Sequence, residues 1–342
     1  MLIGITYDLR TDYLKEGFTE EETAEFDKEE TIAGIENALK NAGFNTDRIG
    51  NIKHLAKKLT NGKTWDLVFN ISEGMYGIAR ESQVPCLLDA YNIPYVFSDG
   101  LVLAVSLHKG ITKRIIRDAG LATSDFVIVE TISDLENINL KFPLFAKPIA
   151  EGTGKGISGL SKIISKTELI KICKNLLKKY NQPVLVEQFL SGREFTVGIV
   201  GTGKEAKAVG IMEVVFRKHE KTKIYSLENK ENYQKVIDYI VPEQKIIDNC
   251  YEIAIKCWQV LGCRDGGRID LRMDGFGKIN FIEVNPLAGL NPVHSDLPIL
   301  CRFAGISYQK LIEMLMKSAI KRLHLFSNNK FISQSRKERK DL

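Results

Sequence analysis

This chain of 342 residues has no disulfide-like cysteine spacing, no membrane-length apolar run and little net charge. Its six cysteines (Cys86, Cys173, Cys250, Cys257, Cys263 and Cys301) include no CxxC pair, and no histidine stands at metal-ligand spacing from them. That disfavours a disulfide framework and a zinc site, and predicts reduced core thiols. No apolar run approaches the roughly 18 residues of a membrane span, and MLIGITYDLR reads as a short strand, not as a signal peptide. The expectation is a cytoplasmic protein without a membrane partner. The formal net charge is +5, and the tail Lys330–Leu342, with five basic and two acidic residues, supplies three of those charges. The remainder is too small to call for a nucleic-acid partner, and residues 327–342 are expected to form a frayed, solvated end.

What is present is a chain that is 44% hydrophobic, enough to bury a core in two or three lobes. Acid is concentrated near the N-terminus: Glu16, Glu20, Glu21, Glu22, Glu25, Asp27, Glu29 and Glu30 face a single Lys28. A solvated loop running into an acidic helix start explains this pattern. The sharper alternative is an acidic lid that attracts a cationic substrate or amine.

The first hundred residues alternate strand and helix, as in a parallel α/β layer. Strands are read at Leu2–Tyr7, Trp65–Ile71 and from Ile93, with helices at Asp27–Asn41, from the Asn51 cap to Leu59, and from near Glu81. A helix at Lys109–Ala119 follows. Then come Phe126–Val129, Leu144–Lys147, a helix at Lys166–Tyr180 and Val184–Phe189, an α+β lobe. Beyond Glu194 strands dominate, interrupted by a helix at Gln244–Leu261 and closed by helices at Leu297–Phe303 and Ser307–Leu325.

Three segments carry chemistry. GRIDLRMD (Gly267–Asp274) and FIEVN (Phe281–Asn285) both alternate like strands, and a hairpin between them brings Asp270 close to Glu283 and Asn285. Two carboxylates and an amide suit Mg²⁺, which fills its shell with water and nucleotide phosphate. Two ordinary edge strands with solvated carboxylates are the plain alternative. EGTGKG (Glu151–Gly156) follows the strand ending at Lys147, and its glycines let backbone N–H groups approach phosphate. It is not a Walker A sequence, and a simple turn uses the same residues. VLVEQFLSGREFTV (Val184–Val197) reads as two strands joined at Ser191–Gly192, with Glu187 and Glu194 on either side. Gln188, Phe189 and Leu190 between them offer the backbone groups and apolar surface that an adenine edge needs.

In this order, from about Trp65 to Leu311, these segments resemble the ATP-grasp superfamily, and within it the D-alanine–D-alanine ligases. Further anchors are DLVFN, IPY, PLFAKP, LGCRDGGRIDLRMD, PLAGL and HSDLP. The resemblance implies a mixed α/β and α+β protein. An N-terminal Rossmann-like parallel domain (1–105) precedes a central lobe (106–187) and a C-terminal lobe (188–326) that clamp ATP. It implies an ATP-dependent carboxylate–amine ligase that works through an acyl phosphate. Lys109 and Lys147 match lysines on the α- and β-phosphates, and Glu151, Gly152, Thr153, Gly154 and Gly156 the glycine-rich loop. Glu187, Gln188, Phe189, Leu190 and Glu194 match the adenine and ribose contacts. Lys230 matches a mobile-loop lysine that reaches the γ-phosphate. Asp270, Glu283 and Asn285 match the ligands of two Mg²⁺ ions, with Mn²⁺ as a substitute. Arg268 and the Gly289 amide match the groups that hold the tetrahedral intermediate, and Ser295 the hydroxyl on the second substrate's carboxylate. Relatives of this kind are often homodimers, and their partners are small carboxylates and amines such as amino acids.

The amino-acid half departs from the family. Glu73 stands where a histidine is usual, and Ala79-Arg80-Glu81-Ser82 replaces a Glu-Asp-Gly. Thr153 occupies the place of a serine, and the glutamate for the first substrate's ammonium has no clean counterpart, leaving Glu25 or Asp27 as substitutes. Glu73 and Arg80 are therefore expected to select the substrates. Ligases acting on other amino acids, peptides or a metabolite remain open, as does a catalytically silent ATP-binding regulator.

Overall fold

The computed structural model of the chain describes residues 1–136, 138–217 and 236–327. Its N-terminal sheet is parallel, in the order β2-β1-β3-β4, from β1 (Leu2–Thr6), β2 (Asn45–Gly50), β3 (Leu67–Asn70) and β4 (Tyr95–Val96). Parallel neighbours need crossovers, and α2 (Glu29–Asn41), α3 (Ile52–Thr60) and α4 (Gln83–Ala90) supply them. Asn51 caps α3 as expected, its side chain accepting from the N–H groups of Lys53 and His54. Two short helices have no sequence counterpart in the reading above: α1 (Arg10–Lys15) and α5 (Gly100–Leu107). In α5 the run GLVLAVSL is apolar all round and shows no period, although Asp99 caps it by accepting from Val102 N–H at 2.9 Å.

The helix α6 (Lys109–Asp118) leads into a second, antiparallel sheet of order β5-β8-β6-β7. Its strands are β5 (Phe126–Val129), β6 (Leu144–Pro148), β7 (Lys162–Ile163) and β8 (Val184–Gln188), with α7 (Lys166–Tyr180) packed on one face. The third sheet is also antiparallel, β11-β10-β9-β12-β13. It comprises β9 (Glu194–Val200), β10 (Lys207–Phe216), β11 (Ile237–Ile240), β12 (Gly266–Met273) and β13 (Ile279–Asn285). The strands on either side of Ser191–Gly192 do not pair with each other. β8 lies in the second sheet and β9 in the third, so this segment crosses between sheets instead of closing a hairpin.

One large core joins the first sheet to the C-terminal part of the chain, running from Ile3, Ile5 and Phe69 to Met212, Leu300, Leu311 and Leu315. The second sheet has a separate core of Val129, Leu144, Ala146, Leu169, Cys173 and Val186. In β12 the alternation does the positioning. Ile269 and Leu271 are fully buried against Cys257 and Trp258 of the helix Gln244–Val260, each worth roughly 1.5–3 kcal/mol. Period 2 then turns Arg268, Asp270 and Arg272 to the opposite face.

Candidate active site

The β12–β13 hairpin pairs Asp270 with Glu283 and Arg268 with Asn285. The Asn285 amide donates to Asp270 at 3.2 Å, and the Thr196 hydroxyl does so at 2.9 Å. Arg268 lies along the Asp270 carboxylate, at 2.6 and 2.8 Å, and 3.5 Å from Asp296. Among the described residues no group of three or more His, Cys, Asp or Glu is arranged for a metal, so the candidate donor set is two carboxylates and one amide.

Glu283 is the meeting point of two cavities. The smaller, of 80 Å³, is lined by Phe145, Lys147, Gly154, Ile157, Glu187, Gln188, Phe189, Leu190, Glu194 and Ile282 together with Asp270, Arg272 and Glu283. The larger, of 540 Å³, runs past Lys109, Gly152, Thr153, Arg268, Asn285, Gly289 and Ser295 to Asp27, Glu73 and Glu81. At the junction the Lys147 and Lys109 ammoniums stand 3.7 and 3.9 Å from Glu283.

Glu187 sits differently from a free ribose or adenine contact. Its buried carboxylate is held by Lys113 at 2.8 Å, Lys147 at 3.2 Å and the Ser124 hydroxyl at 2.6 Å. Burial pushes its pKa up, but Lys113 and Lys147 outweigh that and hold it at about 2. Lys113 escaped the sequence reading. It lies one turn after Lys109 on α6, fully buried, and also donates to the Thr123 hydroxyl at 2.7 Å. Arg272 was missed as well: it donates to Glu194 at 2.9 Å and stacks over the Phe189 ring.

The glycine-rich loop is tied down from outside. The Glu25 carboxylate accepts from Gly152 N–H at 2.6 Å and from the Arg80 guanidinium at 2.8 Å, while Arg80 donates to the Ala150 carbonyl at 2.8 Å. Lys155 reaches Glu25 at 3.6 Å and Glu151 at 2.6 Å. A side chain on Gly152 would put a Cβ 2.7 Å from the Glu25 carboxylate, which explains the glycine. Glu21 extends the same strap, accepting from Lys179 and from the Tyr180 hydroxyl. The acidic stretch is thus partly bound and not simply solvated. Arg80 belongs to this strap and does not line the larger cavity.

At the other end of that cavity, Gly289 packs against Ser295, where an added Cβ would lie 2.8 Å from the hydroxyl. Ser295 in turn accepts from Asn291 N–H at 3.0 Å, and Asn291 reaches across to the Thr31 hydroxyl at 3.1 Å. Gly156 folds back under Pro148 with φ +74. Lys230 lies outside the described residues, as does most of the basic tail.

The chain matches known proteins in sequence and in fold. A model of the D-ala D-ala ligase C-terminus matches residues 115–317. The D-alanine–D-alanine ligase of Aquifex aeolicus is 33% identical over 288 residues, covering 84% of this chain and 93% of that protein. An uncharacterized protein of Sinorhizobium fredii, y4sG, is 30% identical over 263 residues, 76% of each chain. Two solved structures share the fold. The D-alanine–D-alanine ligase of Bacillus anthracis complexed with ATP superposes with a TM-score of 0.69 at 21% identity, over 94% of this chain and 98% of that one. The VanG D-Ala:D-Ser ligase of Enterococcus faecalis gives 0.71 at 20%, over 93% and 99%. The chain therefore belongs to the D-alanine–D-alanine ligase family, ATP-dependent enzymes that form a carbon–nitrogen bond on an ATP-grasp fold.

Proposed function

We propose that this ligase activates the carboxylate of one amino acid with ATP and joins it to the amine of a second. ATP, a substrate here, occupies the slot beside Leu190 and Glu194, and the amino acids occupy the larger cavity. The carrying observation is that Glu283 lies on the walls of both cavities with the Lys109 and Lys147 ammoniums against it. A nucleotide whose base lies between Phe189 and Leu190 then delivers its phosphates to the edge of the amino-acid cavity.

A carboxylate resists attack by an amine until one oxygen becomes a leaving group. Its oxygen takes the γ-phosphoryl group of ATP, the bond to ADP breaks, and the amine nitrogen then attacks the acyl carbon as phosphate leaves with the bonding pair and the amine gives up a proton. Such transfers ask the protein for position and charge neutralisation. Lys109 and Lys147 supply positive charge, and Glu187 fixes Lys147 and Lys113. We assign Lys230 to the γ-phosphate, Arg268 and the Gly289 N–H to the developing oxyanion, and Ser295 to the second carboxylate. Arg80 is reassigned from substrate contact to positioning of the glycine-rich loop.

Asp270, Glu283 and Asn285 fit Mg²⁺ because they are hard oxygen donors at neighbouring register positions of two paired strands. When bound, Mg²⁺ neutralises phosphate charge. We further propose that residues 1–105, 106–187 and 188–326 act as three lobes, and that the enzyme works in the reducing cytoplasm, a reading its free cysteines support.

The test is release of ADP and phosphate with ATP and Mg²⁺ across single and paired D- and L-amino acids, with Glu283→Gln as the blank. D-alanine comes first, since the relatives bear its name. EDTA should abolish release, and Mg²⁺ or Mn²⁺ should restore it. AMP as product, or no product with any pair, would sink the reading.

A further inference from the structure

The larger cavity is unevenly charged. At its N-terminal end Asp27, Glu73 and Glu81 line the wall, and none has a protein cation at ion-pair distance among the described residues. The cations nearby are committed elsewhere. Arg80 and Lys155 match Glu25. Lys109 donates to the Glu151 carbonyl and faces Glu283, and Arg268 lies between Asp270 and Asp296. Arg10 also lines the cavity: it holds Glu20 through Nη2, while its buried Nε–H, without a partner among the described residues, is left for the occupant's carboxylate, and Lys28 stands exposed at the rim. Burial, with the Glu25 charge behind it, pushes Glu81 up to about 7 against the pull of Arg80. Burial does the same to Asp27, to about 7, and burial with the charge of Glu81 lifts Glu73 well above the usual range. Ionising carboxylates held in this way costs free energy, and an arriving cation recovers it.

Ser106 also lines this cavity; it is 5% exposed, and its hydroxyl has no hydrogen-bond partner among the described residues. A buried hydroxyl without a partner costs roughly 1–3 kcal/mol, which a ligand N–H would recover. One α-ammonium needs one carboxylate as a charge-assisted partner. Three carboxylates and an idle hydroxyl offer more than a neutral amino acid can use.

We propose that the amino acid bound at the Asp27–Glu73–Glu81 end carries a second amino group on its side chain, so that this site takes a diamino acid. The inference rests on the ligase reading, which makes the cavity an amino-acid site; the carboxylates decide the charge of the occupant.

ADP release and melting temperature are measured on the full chain with ATP, Mg²⁺ and each probe, paired with D-alanine. The probes are alanine, 2,3-diaminopropionate, ornithine and lysine in both hands, with glutamate as the anionic control. At least one diamino acid should exceed alanine of the same hand by tenfold or more in kcat/KM. Glu73→Gln and Glu81→Gln, both close in shape to the native side chain, should each lower that ratio about tenfold. Alanine equalling or surpassing every diamino acid overturns the inference while leaving the ligase reading intact. If no pair releases ADP, the ligase reading falls and the melting shift decides alone. A larger shift with a diamino acid than with alanine, lost in Glu73→Gln, upholds the cationic site; the absence of that difference overturns it.

Discussion

Replacing Lys113 by methionine keeps the length of the side chain and removes a fully buried ammonium. Glu187 would retain Lys147 at 3.2 Å and the Ser124 hydroxyl at 2.6 Å. Deleting one member of a buried ion pair costs roughly 3–5 kcal/mol, and the surviving lysine sets the lower end, about 3 kcal/mol. The titration of Glu187 gives the same order. Burial raises its pKa, yet the two lysines hold it at about 2 against an ordinary 4.5. At 1.36 kcal/mol per unit the net effect is about 3 kcal/mol. Both tryptophans, Trp65 and Trp258, lie outside the second sheet, so fluorescence is a poor reporter of its opening. Hydrogen exchange at the amides of Val184–Gln188 reads that opening directly. Lys113→Met should lower their protection by about 3 kcal/mol, and Lys113→Met/Glu187→Gln should regain at least half by removing the stranded carboxylate. A single variant within about 0.5 kcal/mol of the parent, the ordinary scatter of surface changes, would refute the assigned role of the pair. So would a double variant that loses the sum of both.

Three further outcomes are expected. Arg80→Ala frees the Gly152–Glu25 strap and should raise KM for ATP about tenfold, a cost of about 1.4 kcal/mol, with less change in the KM for either amino acid; the reverse pattern would return Arg80 to substrate contact. Gly289→Ala drives a Cβ toward the Ser295 hydroxyl, 2.8 Å away, and should lower kcat/KM for the second amino acid at least tenfold in steady-state assays. Finally, Asp27 and Glu81 keep protons in the folded state up to about pH 7 that the unfolded chain has already released above about 4.5. Stability without ligand should therefore fall as pH rises from 4.5 to 7, and denaturation midpoints that climb through this window would contradict it.

Period-2 alternation made the Gly266–Asn285 hairpin legible, because one face of β12 must meet Trp258 and the other must then face the cleft. The strand Phe126–Val129 and the helix Lys166–Tyr180 were legible for similar reasons, the helix being closed by Ser165 at one end and Asn181 at the other. The crossing at Ser191–Gly192 was not, since a short polar break between two apolar strands looks the same whether the strands pair or part. The helix α5 offered no period to read. The pairing of Arg80 with Glu25 was not legible, because Glu25 lies 55 residues away in an irregular acidic segment and no local pattern announces such a contact. Lys113 did leave a trace: it follows Lys109 by four residues, and the same helical face carries both lysines.

The Glu25 carboxylate touches Gly152 in the glycine-rich loop and also lines the larger cavity, which we assign to the amino acids. A single side chain, held by Arg80 and Lys155, thus borders both proposed ligand sites. Whatever factor an occupant of the acidic end imposes on the affinity for nucleotide, the nucleotide must impose on that occupant in return. Measured from either side, the two factors have to agree, and the part of their common size lost in Glu25→Gln is the part that Glu25 carries.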